Sequence, residues 1–175
     1  MPSKSGFTLI ELLIVVAILA ILASITLPNM LAPSIKAKLR GAVSNLRADL
    51  QTAKMMAIRE NRFVVVNVFA TSYEVFVDNG GDVDVPGGIA DDWIRNGNER
   101  LLASRQMDAG VSIDLAATIL NNAAATNLLN DQTRFNDRGL PENFGTIVLK
   151  SQAGQRGEIN LNRLGRMTVK IIKDP

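Results

Sequence analysis

The chain has 175 residues, 47% of them hydrophobic and only 5% aromatic, with 19 Lys and Arg against 17 Asp and Glu, and it contains neither Cys nor His. That length suits one domain. Lacking Cys, the chain has no disulfide framework, thiol nucleophile or thiolate metal cluster; lacking His, it has no imidazole base or imidazole zinc ligand. Most hydrolase and metalloenzyme readings fall on that ground, and the charged fraction of 21% is too ordinary for a collagen-like or disordered chain.

Phe7 to Leu27 forms a run of 21 residues, FTLIELLIVVAILAILASITL, whose only charge is Glu11. As a helix rising ~1.5 Å per residue it covers about 31 Å, close to the ~30 Å hydrocarbon core of a bilayer. A soluble core helix is seldom apolar all round. Such a segment is cut after the run as a secretory signal, kept uncleaved as an anchor, or cut before the run. A secretory signal needs a shorter apolar region followed by a small-x-small site, whereas Ala17, Ala20 and Ala23 are spaced three apart in a longer run.

The string GFTLIELLIVVAILAILASITLPN, Gly6 to Asn29, resembles the N-terminus of type IV prepilins and type II secretion pseudopilins, through its combination of Gly6, Phe7, Glu11 and Pro28. The resemblance implies removal of leader 1–6 by a prepilin peptidase, N-methylation of the new Phe7 amine, and retention of 7–27 as a transmembrane helix. A carboxylate in a bilayer costs roughly 2.5–3.5 kcal/mol on insertion scales, so Glu11 needs a reason. Within its own chain it meets the Phe7 amine and the exposed N–H groups of the first turn. Between chains, low dielectric makes pairing with a neighbour's Phe7 amine directional, and the resemblance assigns that assembly role to Glu11.

Pro28 predicts a kink or break in the helix, and Pro33 repeats the perturbation. Beyond them Ile35, Leu39, Val43, Leu46, Leu50, Ala53 and Ala57 recur at helical spacing, while the other faces carry Lys36, Lys38, Arg40, Arg47, Lys54 and Arg59. Residues 28–61 therefore read as an amphipathic helix continuing the spine. Helix from Phe7 to about Glu60 would measure roughly 80 Å, far more than a bilayer needs, so its second half packs elsewhere. The cations of that half serve as a solvated face or meet acidic neighbours in a filament.

From Arg62 the period becomes alternating. Strands are expected over 62–69 and 72–77, joined at Ala70 and Thr71, then over 99–106, 111–115, 133–136, 146–149, 158–161 and 166–172. The turn-rich stretch DNGGDVDVPGG, Asp78 to Gly88, opens an acidic region reaching Asp108. Leu115 to Asn130, rich in Ala, Asn and Leu, fits a short helix or a loop insertion. The order predicts an α+β fold in which a long N-terminal helix packs on a C-terminal antiparallel sheet domain, 62–175. FVDNGGDVD (Phe76 to Asp84) and RFNDRGLPENFGTIVLKSQAGQRGEINLNRLGRMTVK (Arg134 to Lys170) resemble the globular domain of GspH/FimT-type minor pilins.

Asp78, Asp82 and Asp84 offer oxygen ligands for Ca²⁺, which related major pseudopilins bind, but Ile89 stands where an EF-hand loop has its bidentate Glu. The pattern fits a turn with solvated acids better, so no metal or other cofactor is expected. Arg163, Arg166 and Lys170 lie in a C-terminal stretch, Arg134 to Pro175, of net charge +4. Some FimT-like pilins bind DNA through Gly-Arg-x-Arg, but here Gly165-Arg166-Met167 is followed by Thr168, with no aromatic stacking platform nearby in sequence, so DNA binding is not expected. Trp93, beside Asp91 and Asp92, reads equally as a partly buried anchor or an interface residue. No Walker-type or GxGxxG motif appears, and no nucleophile–base pair can be named, so any ATP used in assembly comes from a partner and an enzyme role is not expected.

The resemblance implies a minor pseudopilin that helps assemble the type II secretion pseudopilus and export folded proteins, or else a minor pilin that primes a type IV pilus or binds DNA in natural transformation. Implied partners are other pilins or pseudopilins, the prepilin peptidase, membrane lipid and an inner-membrane assembly platform with its separate ATPase. The implied location is single-pass in the inner membrane with the C-terminal domain in the periplasm.

Overall fold

The computed structural model describes residues 8–78, 93–95, 99–121 and 131–173, the side chains of 23–34, 121 and 131 excepted. The chain divides into two compact units, Met1–Ser34 and Ile35–Pro175. Helix α1, Leu9–Glu60, contributes to both. It is not broken at Pro28 or Pro33: each proline forfeits one hydrogen bond, but its fixed φ is itself helical, so the turns on either side carry the helix through. Its end comes where the apolar period stops. Asn61 takes a left-handed φ of 54°, and the Arg62 N–H donates to the Ala57 carbonyl at 3.3 Å, closing the last turn in a Schellman-type cap.

In the second unit the expected stripe is the core. Leu39, Val43, Leu46, Leu50, Ala53 and Ala57 are buried, joined by Ala42, with Ile35 half-buried at the start of the row. Against them lie two antiparallel sheets. The first has the order β3-β2-β1-β6, from β1 (Phe63–Val68), β2 (Ser72–Asp78), β3 (Leu101–Gln106) and β6 (Asp131–Phe135). The second runs β4-β7-β8-β9, from β4 (Val111–Ile113), β7 (Phe144–Ser151), β8 (Gln155–Leu161) and β9 (Met167–Lys173). The stretch without a clear assignment supplies β5 (Ile119–Asn121), which shares one edge of β7 with β4; residues 122–130 lie outside the described ones.

Period-two patterning places Val64, Val66 and Val68 with Tyr73, Val75 and Val77 in the same cluster as the helix stripe, and Ile147, Leu149, Ile159 and Leu161 join from the second sheet. Gly157 sets the approach of helix to β8, because a Cβ there would lie 2.4 Å from Val43 Cγ2. The opposite face of the first sheet is buried too: Val65 and Phe76 are fully enclosed and Asp78 nearly so. The runs VVV (64–66) and VFV (75–77) are continuous rather than alternating, which is how strands covered on both faces read. Trp93 and Arg95, from the β2–β3 connection, lie on this second face, against Arg134 and Glu74 respectively.

Candidate functional site

The first unit carries the residues expected to act in processing and assembly. Gly6 and Phe7 lie outside the described residues, and so does the side chain of Pro28. From Leu9 to Leu22 every large apolar side chain is exposed, between 81% at Leu9 and 44% at Val15, with no buried stripe. Among the described residues no helix is long and apolar enough to cross a membrane; the described side chains of the apolar run stop at Leu22. The helix is capped by its own sequence. The Glu11 N–H donates to Thr8 Oγ1 at 3.3 Å, and the Thr8 hydroxyl lies 3.5 Å from Glu11 Oε2. Thr8-Leu9-Ile10-Glu11 is a capping-box spacing, a local signal the assignment of Glu11 to the Phe7 amine overlooks.

The three C-terminal cations weighed for DNA contact lie on a turn and a strand. Arg163 and Arg166 sit on the β8–β9 turn, whereas Lys170 lies on β9 with Glu158 opposite it in the register. Sequence distance also hides the ring beside them: Phe144, from β7, lies 4.7 Å from the Arg163 guanidinium and is occupied by it. Of the calcium candidates, Asp82 and Asp84 lie outside the described residues. Asp78 is buried at the end of β2, where its carboxylate accepts from the Trp93 N–H at 3.1 Å and faces Arg134 at 3.9 Å. Among the described residues no group of three or more acids is placed to hold a metal ion.

Two clusters that sequence reasoning missed hold the domain's layers together. Arg134 is sandwiched between the Phe63 ring at 4.1 Å and the Trp93 ring at 4.4 Å while its Nε donates to Glu142 at 2.6 Å. That makes Trp93 a half-buried anchor. Asp49, on the helix, accepts from the Tyr73 hydroxyl at 2.7 Å and from Arg105 Nε at 2.6 Å, linking α1, β2 and β3. Burial first, then the bond to Asp49, push the Tyr73 phenol above its ordinary value. The bond to Asp49 and its charge raise Arg105 likewise. Neither cluster has a local signature, since Phe63, Trp93 and Arg134 in one, and Asp49, Tyr73 and Arg105 in the other, are separated by tens of residues.

Two turns share a different design. Asn136 and Asn162 each begin an Asn-x-x-Gly turn. Asn136 Oδ1 accepts from the N–H groups of Arg138 and Leu140, both at 3.0 Å, and Asn162 Oδ1 accepts from those of Leu164 and Arg166, at 3.0 and 2.9 Å. Gly139 and Gly165 close them with the same φ of 70°, the left-handed conformation that favours glycine.

Known proteins align with both halves of the chain. Residues 1–27 match the prokaryotic N-terminal methylation motif, and residues 42–165 match the family described as type II transport protein GspH. The type IV major pilin protein PilA of Myxococcus xanthus is 42% identical over 62 residues, 35% of this chain and 28% of the relative. The pilin-like protein PilA1 of Thermus thermophilus is 37% identical over 83 residues, 46% of this chain and 52% of the relative. The type II secretion system core protein G of Aeromonas hydrophila is 40% identical over 60 residues, 34% of this chain and 42% of the relative. The chain thus spans about a quarter to a half of the length of these curated relatives. Among solved structures, the minor pseudopilin EpsH from the type 2 secretion system of Vibrio cholerae superposes with a TM-score of 0.51 at 10% identity, over 78% of this chain and 97% of that one, a likeness of fold. With the GspH match covering most of the folded domain and the methylation motif preceding it, the chain belongs to the GspH family of type II transport proteins.

Proposed function

We propose that this chain is a minor pseudopilin, a structural subunit of the type II secretion pseudopilus that takes part in filament assembly and in export of folded proteins. The observation that carries the reading is the helix whose large apolar side chains, Leu9 to Leu22, are exposed on every face. Burying a Leu or Ile stabilises by about 1.5–3 kcal/mol, so a helix of this kind needs lipid or neighbouring apolar helices around it. The methylation motif supports cleavage between Gly6 and Phe7, N-methylation of Phe7 and an inner-membrane precursor whose helix, 7–27, spans the bilayer with the β domain in the periplasm. Other pilin-family subunits are its filament partners. A peptidase, an assembly platform and that platform's ATPase supply the processing and energy that a chain without a nucleotide-binding motif does not.

Mass spectrometry of the mature chain tests the processing: the expected product begins at methylated Phe7, and an intact N-terminus at Met1 overturns it. Sheared filaments test the assembly. Glu11→Leu is expected to insert in the membrane at least as well as the wild type and to be depleted from filaments; normal recovery removes the pairing role of Glu11. Deleting the gene separates the secretion reading, in which exoproteins accumulate in the periplasm, from a type IV pilus reading, in which surface pili are lost instead.

A further inference from the structure

The open edges of the two sheets are not alike. In the first sheet, the register of β3 with β2 shifts between Val75 and Phe76, and β6 has five residues and is bridged at Phe135 by Pro141. In the second, β4 and β5 beyond β7 have three residues each. At the opposite side lies β9, seven residues in unbroken register with β8 from Gln155↔Lys173 to Leu161↔Met167. Among the described residues no strand pairs with its outer edge. Thr168 to Ile171 are exposed, Val169 and Ile171 each by 37%. Such an edge carries a row of unpaired N–H and C=O groups, which folded proteins blunt with a bulge, a short strand, a charge or a cover. Of these β9 has only Lys170 and Lys173.

The helix beside this edge is basic. A Cβ on Gly157, opposite Ile171 in the register, would meet Val43. One on Gly165, just before β9, would lie 2.9 Å from Lys54 Nζ and 2.8 Å from the carbonyl oxygen of Gly139 in the other Asn-x-x-Gly turn. Strands β8 and β9 therefore follow the flank of α1 that runs from Val43 to Lys54. Lys36, Arg40 and Arg47 precede Lys54 by 18, 14 and 7 residues, about five, four and two helical turns, so they share that flank. All three are exposed, and among the described residues no ion pair involves them, Lys170 or Lys173. Glu158, opposite Lys170, is the one acid in the β8–β9 register.

We infer that the outer edge of β9 takes an extended acidic peptide segment of another protein as an added strand. Main-chain hydrogen bonds complete the ladder, aliphatic side chains of the segment cover Val169 and Ile171, and its acids meet Lys170 and Lys173 in the positive field of the helix row. A second copy of β9 is a poorer match, because antiparallel pairing about Lys170 sets that lysine against its own copy. Nucleic acid answers the charge but leaves the strand edge without a ladder. All of these residues belong to the β domain and the helix packed on it, so the site is independent of the pseudopilin reading.

Full-length chain in non-ionic detergent is titrated against a fluorescein-labelled peptide, Thr-Asp-Val-Glu-Val-Glu-Val-Asp-Thr, and binding is read by fluorescence anisotropy. Only one edge of an added strand faces β9. N-methylation of one alternate set of peptide amides should therefore weaken binding about ten-fold or more, and of the other set by less than about two-fold. Lys170→Glu with Lys173→Glu should weaken it about five-fold or more at unchanged melting temperature, and Arg40→Glu with Arg47→Glu should do the same. The N-methyl comparison uses the unaltered protein and decides the matter even where a charge-reversed variant fails to fold. Equal loss from the two N-methylated peptides overturns the inference. So do an absence of saturable binding, binding indifferent to both charge reversals, an oligonucleotide of the same charge that binds as tightly, and peptide binding that disappears as the chain self-associates on concentration.

Discussion

The two halves of α1 are built from the same aliphatic residues and meet opposite fates. Between Leu9 and Leu22 the large apolar side chains are at least 44% exposed, whereas Leu39, Val43, Leu46 and Leu50 are at most 2% exposed. Composition does not separate them. From Leu9 to Leu22 the helix is apolar at every position but Glu11, whereas the second half sets its buried aliphatics at a 3–4 spacing with cations on the other faces. A stripe can be covered by a sheet on one side; a cylinder can be covered only by surroundings that enclose it. The difference teaches that one half stabilises the folded domain and the other is reserved for an environment outside it.

The largest effect that sharpens this contrast comes from paired truncations. Leu46→Ala in the buried half should lower domain stability by roughly 3–5 kcal/mol, measured by denaturant titration of the full chain in detergent. Leu13→Ala, at a 60% exposed position, should leave that transition in place. Equal losses would mean that the two halves are not distinct in role. Next is the helix–sheet spacing: Gly157→Ala pushes a methyl into Val43 and should cost about 1–3 kcal/mol, with Val43→Ala in the same chain recovering part of it. Additive losses would place the constraint elsewhere.

A smaller effect is expected at the polar tie between helix and first sheet. Tyr73→Phe removes the bond to Asp49 and should cost about 1 kcal/mol. Because the folded-state phenol titrates above its unfolded value of about 10, its contribution is fully present below about pH 10 and is lost as the pH rises through the folded value. The variant should accordingly lose less stability than the wild type on alkaline titration. The smallest effect concerns Asp114, at the entry to the β4–β5 turn. Burial raises its pKa, but the Ala117 N–H at 3.3 Å and Lys150 at 3.4 Å outweigh that and hold it below the usual carboxylate range. Its contribution is present above the unfolded value of about 4 and is lost as the pH falls through the folded one. Asp114→Asn should therefore flatten the acid limb of the stability profile, and an unchanged limb would remove the assignment.

Much of this architecture was legible in the chain because the signals are periodic and local. The stripe from Leu39 to Ala57, the helix end at Glu60 and the hairpin at Ala70–Thr71 follow from spacing within a few residues. At Pro28, where the sequence predicts a kink or a break, the helix is unbroken, since a proline's cost is weighed against all the helical turns around it. Strand β5 was illegible because Ile119–Asn121 is only three residues long and takes its order from β7. The site divides in the same way. Gly6, Phe7 and Glu11 form a local motif, while the ring under Arg163, the sandwich on Arg134 and the stacked twin turns join residues distant in sequence.

By itself the sequence determined the cylinder and the stripe, and with them an α+β chain whose N-terminal segment needs covering and whose remainder packs on its own helix. Hydrophobic period is a property of neighbouring residues, so no fold is required to read it. Only the tertiary structure decided which charges neutralise one another. It buried Asp78 beside Arg134 and placed Asp49 between Tyr73 and Arg105, and among the described residues it set no carboxylate against Arg138, Arg163 or Arg166. A charge acts through distance in space, and that distance is set by which strands pair and where the helix lies across them.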